Sequence, residues 1–381
     1  MSIIKVNSRG QSVNLGKRNL IYNGAMQVSQ RKATTHTTTG LQNSGAIFTV
    51  DRFSHRRGGA WSNAQFSHTR VDASGTGDIG LVHALQVKCT TAEGAAQSTQ
   101  EAVAIGYYME KGDTHRLGVG TSGAVQSVLS FYAKSSIATT YGVEIQAHQH
   151  STSQGIRLPF TINSANTWQR VSVVIPGDTV ALDSDANSTS GWLFHIVLDG
   201  EAGPSNTHNQ WGPLDNTGAG SIRLPNGVNT TGFSNTLNAT FDITGVQLEE
   251  GTIPSQFEHR TYAEDLRDCQ RYYFHTYRHG IAIGSTGSDN GAAQTRINSA
   301  VTNHHSFTVI YPVPMRATPV ITYYSLTGTV DRISHVGSDF AHDTNVNITA
   351  TYELGERGIN GLAVGASNVG LAGHVTANAE L

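Results

Sequence analysis

The feature that most limits the fold is a succession of short strand-like segments, separated by Gly, Ser, Asn and Thr, that runs from about residue 20 to 260. In Tyr141-Gly142-Val143-Glu144-Ile145-Gln146-Ala147-His148, the residues Val143, Ile145 and Ala147 face one way. Glu144, Gln146, His148 and His150 face the other, which is the alternation of a strand with one buried side. Residues 127–134 form a mostly apolar run, and 169–175, 192–198 and 240–248 are further candidate strands. The polar stretch from about 200 to 238, rich in Asn, Gly and Thr, reads as long loops of the kind that carry function or pack against something. Composition removes the helical alternative. Only 14% of the residues are charged and 41 of 381 are Gly, whereas an average soluble chain has about 25% charged residues and a helix interior penalises Gly by about 1 kcal/mol against Ala.

With 38% hydrophobic residues, 12 Phe, 13 Tyr and 4 Trp, the chain buries a sizeable core and is not disordered. Its net charge of -3 gives no drive toward nucleic acid or an anionic membrane. No stretch approaches the roughly 18 apolar residues of a membrane span, and residues 1–10 hold no apolar signal region. The chain therefore reads as made and kept in a cytoplasm, or assembled there into something larger. Cys89 and Cys269 match no metal or redox spacing and are expected to be free, buried thiols. Residues 1–18 carry Lys5, Arg9, Lys17 and Arg18, no acid and little apolar content. Such an arm is not expected to be ordered by its own domain alone, so it is assigned to docking on a partner.

At residue 261 the pattern changes. Thr261-Tyr262-Ala263-Glu264 fits a capping box, in which the Thr hydroxyl and the Glu carboxylate each satisfy an open backbone amide. Tyr262, Leu266, Cys269 and Tyr273 follow at helical spacing. One short helix is expected as a strut over 261–280, followed by a second β domain with strands near 307–311, 320–324, 346–352 and 373–381. Pro312, Pro314 and Pro319 confine the neighbouring segments to strand ends or edges.

Catalytic signals are weak. Gly118-Val119-Gly120-Thr121-Ser122-Gly123 matches G-x-G-x-x-G but lacks the strand before it and the helix after it that a dinucleotide needs, so it reads as a glycine turn. No nucleophile elbow, Walker sequence or H-E-x-x-H is present. Glu144, His148 and His150 would place an H-x-H and a carboxylate on one strand face, which suits a transition metal, a glycan or a plain polar surface. His275 and His279 sit near the expected end of the helix, where the dipole alone favours His. The loop acids Asp183, Asp185, Asp199, Glu201 and Asp215 cannot be paired by spacing into the two-carboxylate arrangement of a glycosidase. Trp61, Trp211 and Phe233, on loops, are candidates to stack on a sugar ring.

Several segments together resemble bacteriophage virion proteins of the tail-fibre and appendage type. These are Asn19-Leu20-Ile21-Tyr22-Asn23-Gly24-Ala25-Met26-Gln27-Val28, Thr49-Val50-Asp51-Arg52-Phe53, Leu129-Ser130-Phe131-Tyr132-Ala133-Lys134-Ser135-Ser136 and Thr167-Trp168-Gln169-Arg170. The most specific are Gly245-Val246-Gln247-Leu248-Glu249-Glu250-Gly251, Pro254-Ser255-Gln256-Phe257-Glu258-His259-Arg260-Thr261-Tyr262 and Cys269-Gln270-Arg271-Tyr272-Tyr273, with Pro314-Met315-Arg316-Ala317-Thr318-Pro319 in the last domain. The resemblance implies an all-β protein: a carbohydrate-binding-module-like jelly roll over 19–260, the connecting helix over 261–280 and a small β domain over 281–381. It implies a non-enzymatic structural part of a virion, docked through the arm at 1–18, homo-oligomeric with a trimer favoured, and offering loops to a host-surface glycan. A glycan depolymerase and a stand-alone carbohydrate-binding module are the alternatives. Related jelly rolls often hold a structural Ca²⁺, but no ligand set can be matched here, so no cofactor is assigned.

Overall fold

The computed structural model describes residues 17–31, 35–38, 47–58, 63–78, 80–94, 101–147, 154–182, 190–203, 205–214, 222–286, 291–295, 304–336, 344–364 and 370–380. The first thirteen strands are β1 (Thr35–Thr38), β2 (Ile47–Val50), β3 (Phe53–Gly58), β4 (Gln65–Asp72), β5 (His83–Thr91), β6 (Ala102–Glu110), β7 (Ser127–Ser135), β8 (Thr140–Ala147), β9 (Gln154–Thr161), β10 (Gln169–Ile175), β11 (Ser190–Gly200), β12 (Gly212–Pro213) and β13 (Thr240–Glu250). They form two antiparallel sheets, one ordered β1-β4-β5-β13-β7-β10 and the other β12-β9-β8-β11-β6-β3-β2. The chain passes repeatedly from one sheet to the other, so each strand turns one face to a shared core. Val103, Ile105, Tyr107 and Met109 of β6 enter that core beside Val143 and Ile145 of β8 and Phe194 and Ile196 of β11. Phe131, Tyr141, Phe160 and Phe241 pack there edge to face or stacked, with ring centroids 5.2–6.4 Å apart, within the range of favourable ring contacts.

The outer face of the seven-stranded sheet differs from the expected polar, solvated surface. Glu144 of β8 is fully buried, because the loop after β12 lies over it: Ile222 and Leu224 pack on Ala102, Ala104 and Val197. Gly142 leaves room for this cover: a Cβ there would stand 2.5 Å from Cδ of Pro225, so any larger residue would push the loop off the sheet. Gly106 makes room in turn for Arg56 of the adjacent β3, whose Cγ would lie 2.7 Å from a Cβ.

A short helix α1 (Lys111–Thr114) and a 3-10 turn (His115–Leu117) precede the glycine segment 118–123. Gly118 and Gly120 have φ of 65° and 83°, a left-handed turn between elements with no helix behind it. The second helix, α2 (Tyr262–Gln270), starts at the anticipated capping box: the Glu264 amide donates to Thr261 Oγ1 (3.3 Å) and the Thr261 amide to Glu264 Oε2 (2.9 Å). It is shorter than the expected 261–280, and its buried side is not the expected one. Cys269 is inside, but Tyr262 is 38% exposed and Asp265 is buried in its place. Asp265 is held there by Arg260 (2.8 Å) and Gln27 (2.7 Å), since a buried carboxylate is tolerated where hydrogen bonds meet it.

The chain then enters a third, eight-stranded sheet directly. Strands β14 (Tyr273–His275), β15 (Ala293–Thr295), β16 (His304–His305), β17 (Val309–Ile310), β18 (Val320–Ser325), β19 (Arg332–Val336), β20 (Thr344–Tyr352), β21 (Gly358–Ile359), β22 (Gly361–Val364) and β23 (Gly370–Asn378) complete the fold. The last strand is the hub, pairing with β14, β15, β18 and β19. The core here is Phe307, Tyr311, Met315, Tyr323, Leu362, Leu371 and Val375. His275 stands on β14 and not at a helix end. Both cysteines are buried and free.

The two β units meet through a polar junction. Glu110 receives Arg271 through Nε (2.7 Å) and Nη2 (2.8 Å), and the Tyr272 hydroxyl (2.6 Å). Arg52, almost completely buried, lies 3.4 Å above the Tyr272 ring and pairs with Glu380, which also takes Arg31 at 3.0 Å. Residues 17 and 18, expected to belong to a partner-bound arm, are instead held by this chain. Lys17 pairs with Asp268 and Arg18 donates to the Gln256 carbonyl (2.9 Å). Lys5 and Arg9 lie outside the described residues. Replacing one member of a buried ion pair strands the other, at a cost of about 3–5 kcal/mol. Arg52→Ala should therefore lower the denaturant midpoint strongly and split unfolding into two transitions, as followed by Trp fluorescence and calorimetry.

Candidate functional site

Of the residues singled out in the sequence, Trp61, His148 and His150 lie outside the described residues. The strands leading to them end at opposite ends of one sheet: Gly58 pairs with Ala102, whereas Ala147 pairs with Trp192, next to the Leu193–Tyr108 pair. Glu144 is the centre of a closed network. Its Oε2 accepts from Arg157 Nε (2.6 Å) and the Arg223 amide (3.1 Å), and its Oε1 from Gln146 (2.8 Å) and His195 Nδ1 (3.3 Å). Burial alone would raise its pKa, but His195 and Arg157 hold it below the usual carboxylate range. A carboxylate so fully occupied is a support for the loop above it, not a ligand or an acid catalyst.

Phe233 is fully buried and stacks on Phe66 at 6.3 Å, so it is a core anchor and not a loop surface. Asp199 explains its position, accepting from the Thr231 amide (3.0 Å), the Ser234 amide (2.9 Å) and the Ser234 hydroxyl (2.6 Å). Trp211 is partly buried against Trp192 (5.3 Å), with its indole N–H on the Pro176 carbonyl (2.8 Å). Among the described residues no group of three or more His, Cys, Asp or Glu is placed to hold a metal ion, and no helix is long and apolar enough to cross a membrane.

The open concave surface lies at the junction between the sandwich and the last β unit. His279, in edge-to-face contact with Tyr262 (5.6 Å, 88°), bounds two neighbouring clefts. The first, of about 210 Å³, is bounded by Gln30 and Arg31 of the N-terminal segment, Gln270 of α2, and His275, Tyr277 and His279 beyond it. The second, of about 240 Å³, is bounded by Gln27, Arg70 of β4, Val82, His83 at the start of β5, Tyr262 and again His279. Three distant parts of the chain thus build one surface, and the junction contacts fix them together.

The chemistry of this lining is that of hydrogen bonding beside ring faces. Burial pushes the His275 pKa down to about 4, with His374, His279 and Arg31 adding to the effect against one backbone hydrogen bond at Tyr277. His83 is lowered by burial and by Arg70. Both imidazoles are therefore neutral at pH 7, each with one donor and one acceptor nitrogen. His275 Nδ1 and Arg31 Nη1 are buried and have no hydrogen-bond partner. The nearest acid to that Nη1 is Asp51 at 3.7 Å, while Nη2 is held by Glu380 and the guanidinium lies 3.9 Å over the Tyr273 ring. Sequence reasoning noted His275 and His279 as a spaced pair but had no signal for Gln27, Arg31, Arg70 or His83, which lie some 200 positions away.

The lowered His275 value has a definite sign. A His depressed in the folded state contributes stability that is complete above its unfolded pKa near 6.5 and is lost as pH falls toward 4, with a slope of up to about 1.4 kcal/mol per pH unit. The difference in unfolding free energy between the wild type and His275→Asn should change across pH 4 to 6.5 and level off above it, measured by urea denaturation in a pH series.

No known protein family matches the chain, and no curated protein does. Solved structures that match include a putative sugar binding protein from Bacteroides thetaiotaomicron, at 13% identity and TM-score 0.30 over 61% of this chain and 100% of that one. Another is the enzymatically active domain of tailspike protein 4 of bacteriophage CBA120, at 10% identity and TM-score 0.29 over 61% of this chain and 22% of that one. A third is the family 11 carbohydrate-binding module of a Clostridium thermocellum cellulosomal cellulase, at 12% identity and TM-score 0.28 over 60% and 100%. These are glycan-related β-sandwich neighbours, and at such scores none of them bears on the site described above.

Proposed function

We propose that this chain is a glycan-binding, non-enzymatic structural component of a bacteriophage virion, and that the junction clefts take the saccharide. The observation that carries the binding half is the lining itself: the exposed Tyr262 ring beside His279, the Gln270 amide with the side-chain carbonyls of Gln27 and Gln30, neutral imidazoles at His83 and His275, and His275 Nδ1 and Arg31 Nη1 without hydrogen bonds. Sugars present hydroxyls in the plane and C–H groups on the faces of their rings, so amides and imidazoles meet the first and aromatic rings the second. Among the described residues, none that bounds either cleft is Asp or Glu. Hydrolysis of a glycosidic bond ordinarily needs two carboxylates flanking it, which favours recognition over cleavage. The virion half is supported by the resemblance of the Gly245–Tyr273 region and by a low charge content suited to subunit contacts.

Tyr262 and His279 are exposed and form the ridge between the clefts, so removing either leaves the core intact. Loss of a ring contact is worth about 0.5–1.5 kcal/mol. Tyr262→Ala and His279→Ala should each weaken saccharide binding roughly three- to tenfold without lowering the melting temperature, as read by titration calorimetry on ligands found with a glycan array. Unchanged affinity in both variants, or no saccharide bound by the wild type at millimolar concentration, rules out the site. The assembly half predicts a trimer by light scattering for the full chain. A monomer at micromolar concentration argues against it.

A further inference from the structure

We infer that the ligand is an anionic saccharide, lying across both clefts with a carboxylate or sulfate group on Arg70. This rests on the saccharide reading above and narrows it. Arg70 projects from β4 into the second cleft and is only partly buried. Its Nη1 donates to the Gln27 carbonyl at 2.8 Å, which fixes the side chain and leaves its other N–H donors for a ligand. Among the described residues no carboxylate lies within ion-pair distance of it, whereas the other acids around the junction are already engaged. Asp265 holds Arg260 and Gln27. Glu380 holds Arg31 and Arg52. Asp51 accepts from the Gln30 amide (3.0 Å) and side chain.

The two arginines consequently do different work. Arg31 shares Glu380 with Arg52 and has Asp51 3.7 Å from its Nη1, while Arg70 has no ion-pair partner and stands over a cleft bounded by no acid among the described residues. A guanidinium fork matches the paired oxygens of a carboxylate or a sulfate, and a partly enclosed cleft strengthens the attraction relative to open water. Burial lowers the pKa of the neighbouring His83, with Arg70 adding to the shift and the exposed Asp72 opposing it. Because His279 borders both clefts, a chain crossing the Tyr262–His279 ridge reaches from Arg70 to His275 and Arg31. Hydroxyls are met at one end and the anion at the other.

The test is titration calorimetry of the full-length protein with four probes: an oligogalacturonate, the same oligosaccharide with its carboxyl groups reduced, a sulfated galactan oligosaccharide, and its desulfated form. At least one charged member should bind ten or more times tighter than its neutral counterpart, and which one identifies carboxylate or sulfate as the group recognised. That advantage should fall to near unity in Arg70→Gln and in 0.5 M NaCl, and be partly kept in Arg70→Lys. Neutral probes binding as tightly as charged ones would overturn the inference while leaving the saccharide reading in place. No binding by any probe, together with an empty glycan array, would remove that reading itself. A charge preference that survives Arg70→Gln would overturn the assignment to Arg70. Should Arg70→Gln fail to fold, the salt dependence of the wild type and the Arg70→Lys result decide the matter alone.

Discussion

Arg52 is the group on which the arrangement of the two β units depends. A guanidinium removed from water must be met on all sides, or its desolvation outweighs what it gains. Here the Tyr272 ring lies 3.4 Å below it and the Tyr107 ring 5.1 Å away, and Glu380 and the Tyr108 carbonyl receive Nη1 and Nη2, leaving only the buried Nε without a hydrogen bond. Burial alone would lower its pKa, yet Glu380, Tyr272 and Tyr107 more than offset this and hold it above the ordinary value. Each partner comes from a different part of the chain: Tyr107 and Tyr108 from a central strand of the sandwich, Tyr272 from the end of α2, and Glu380 from the penultimate position. The charge is satisfied only when all of them are in place, so this interaction specifies one relative orientation and disfavours others. Glu110 repeats the logic with the opposite sign, receiving Arg271 and Tyr272 together.

The same constraint decides where a ligand finds room. On the outer face of the seven-stranded sheet, polar side chains exist but are used up: Glu144 accepts four hydrogen bonds, and Gly142 lets the covering loop down onto the sheet. At the junction the opposite holds. The clefts lie where the N-terminal segment, α2 and the segment beyond β14 come together, lined by Gln30, Gln270 and His275 in one and by Gln27, Arg70 and Tyr262 in the other. Polar atoms there, such as His275 Nδ1 and Arg31 Nη1, are left without partners.

What the sequence makes legible follows from range. The strand at Gln169–Ile175 is bounded as its pattern predicts, the capping box at Thr261 and Glu264 forms, and Pro312 and Pro319 flank the short β17 and the start of β18. All of these are set by residues within a few positions of one another. What fails is set at long range. The period of β8 places Glu144 opposite the sandwich core correctly, but periodicity has no knowledge of a loop 80 residues later that covers it. Phe233 reads as a loop aromatic because it lies in a loop, and Asp199, 34 positions earlier, is what draws it inside. Tyr262 fits the helical stripe, yet Asp265 takes the buried side because Gln27, far upstream, waits there with a hydrogen bond. The candidate site has almost no local signature for the same reason, since its residues come from 27–31, 70–83 and 262–282.

A surface assembled this way couples binding to the integrity of the junction. A ligand that touches Arg31, Arg70 and His275 at once bridges the N-terminal segment, the sandwich and the last β unit, and so binds only the arrangement that Arg52 and Glu110 enforce. By linkage, whatever free energy such a ligand gains from that arrangement is added to the stability of the junction itself. The cost of ordering the three segments is met during folding by the buried ion pairs rather than during binding by the ligand, which is the condition under which a shallow, polar, partly solvated cleft achieves useful affinity.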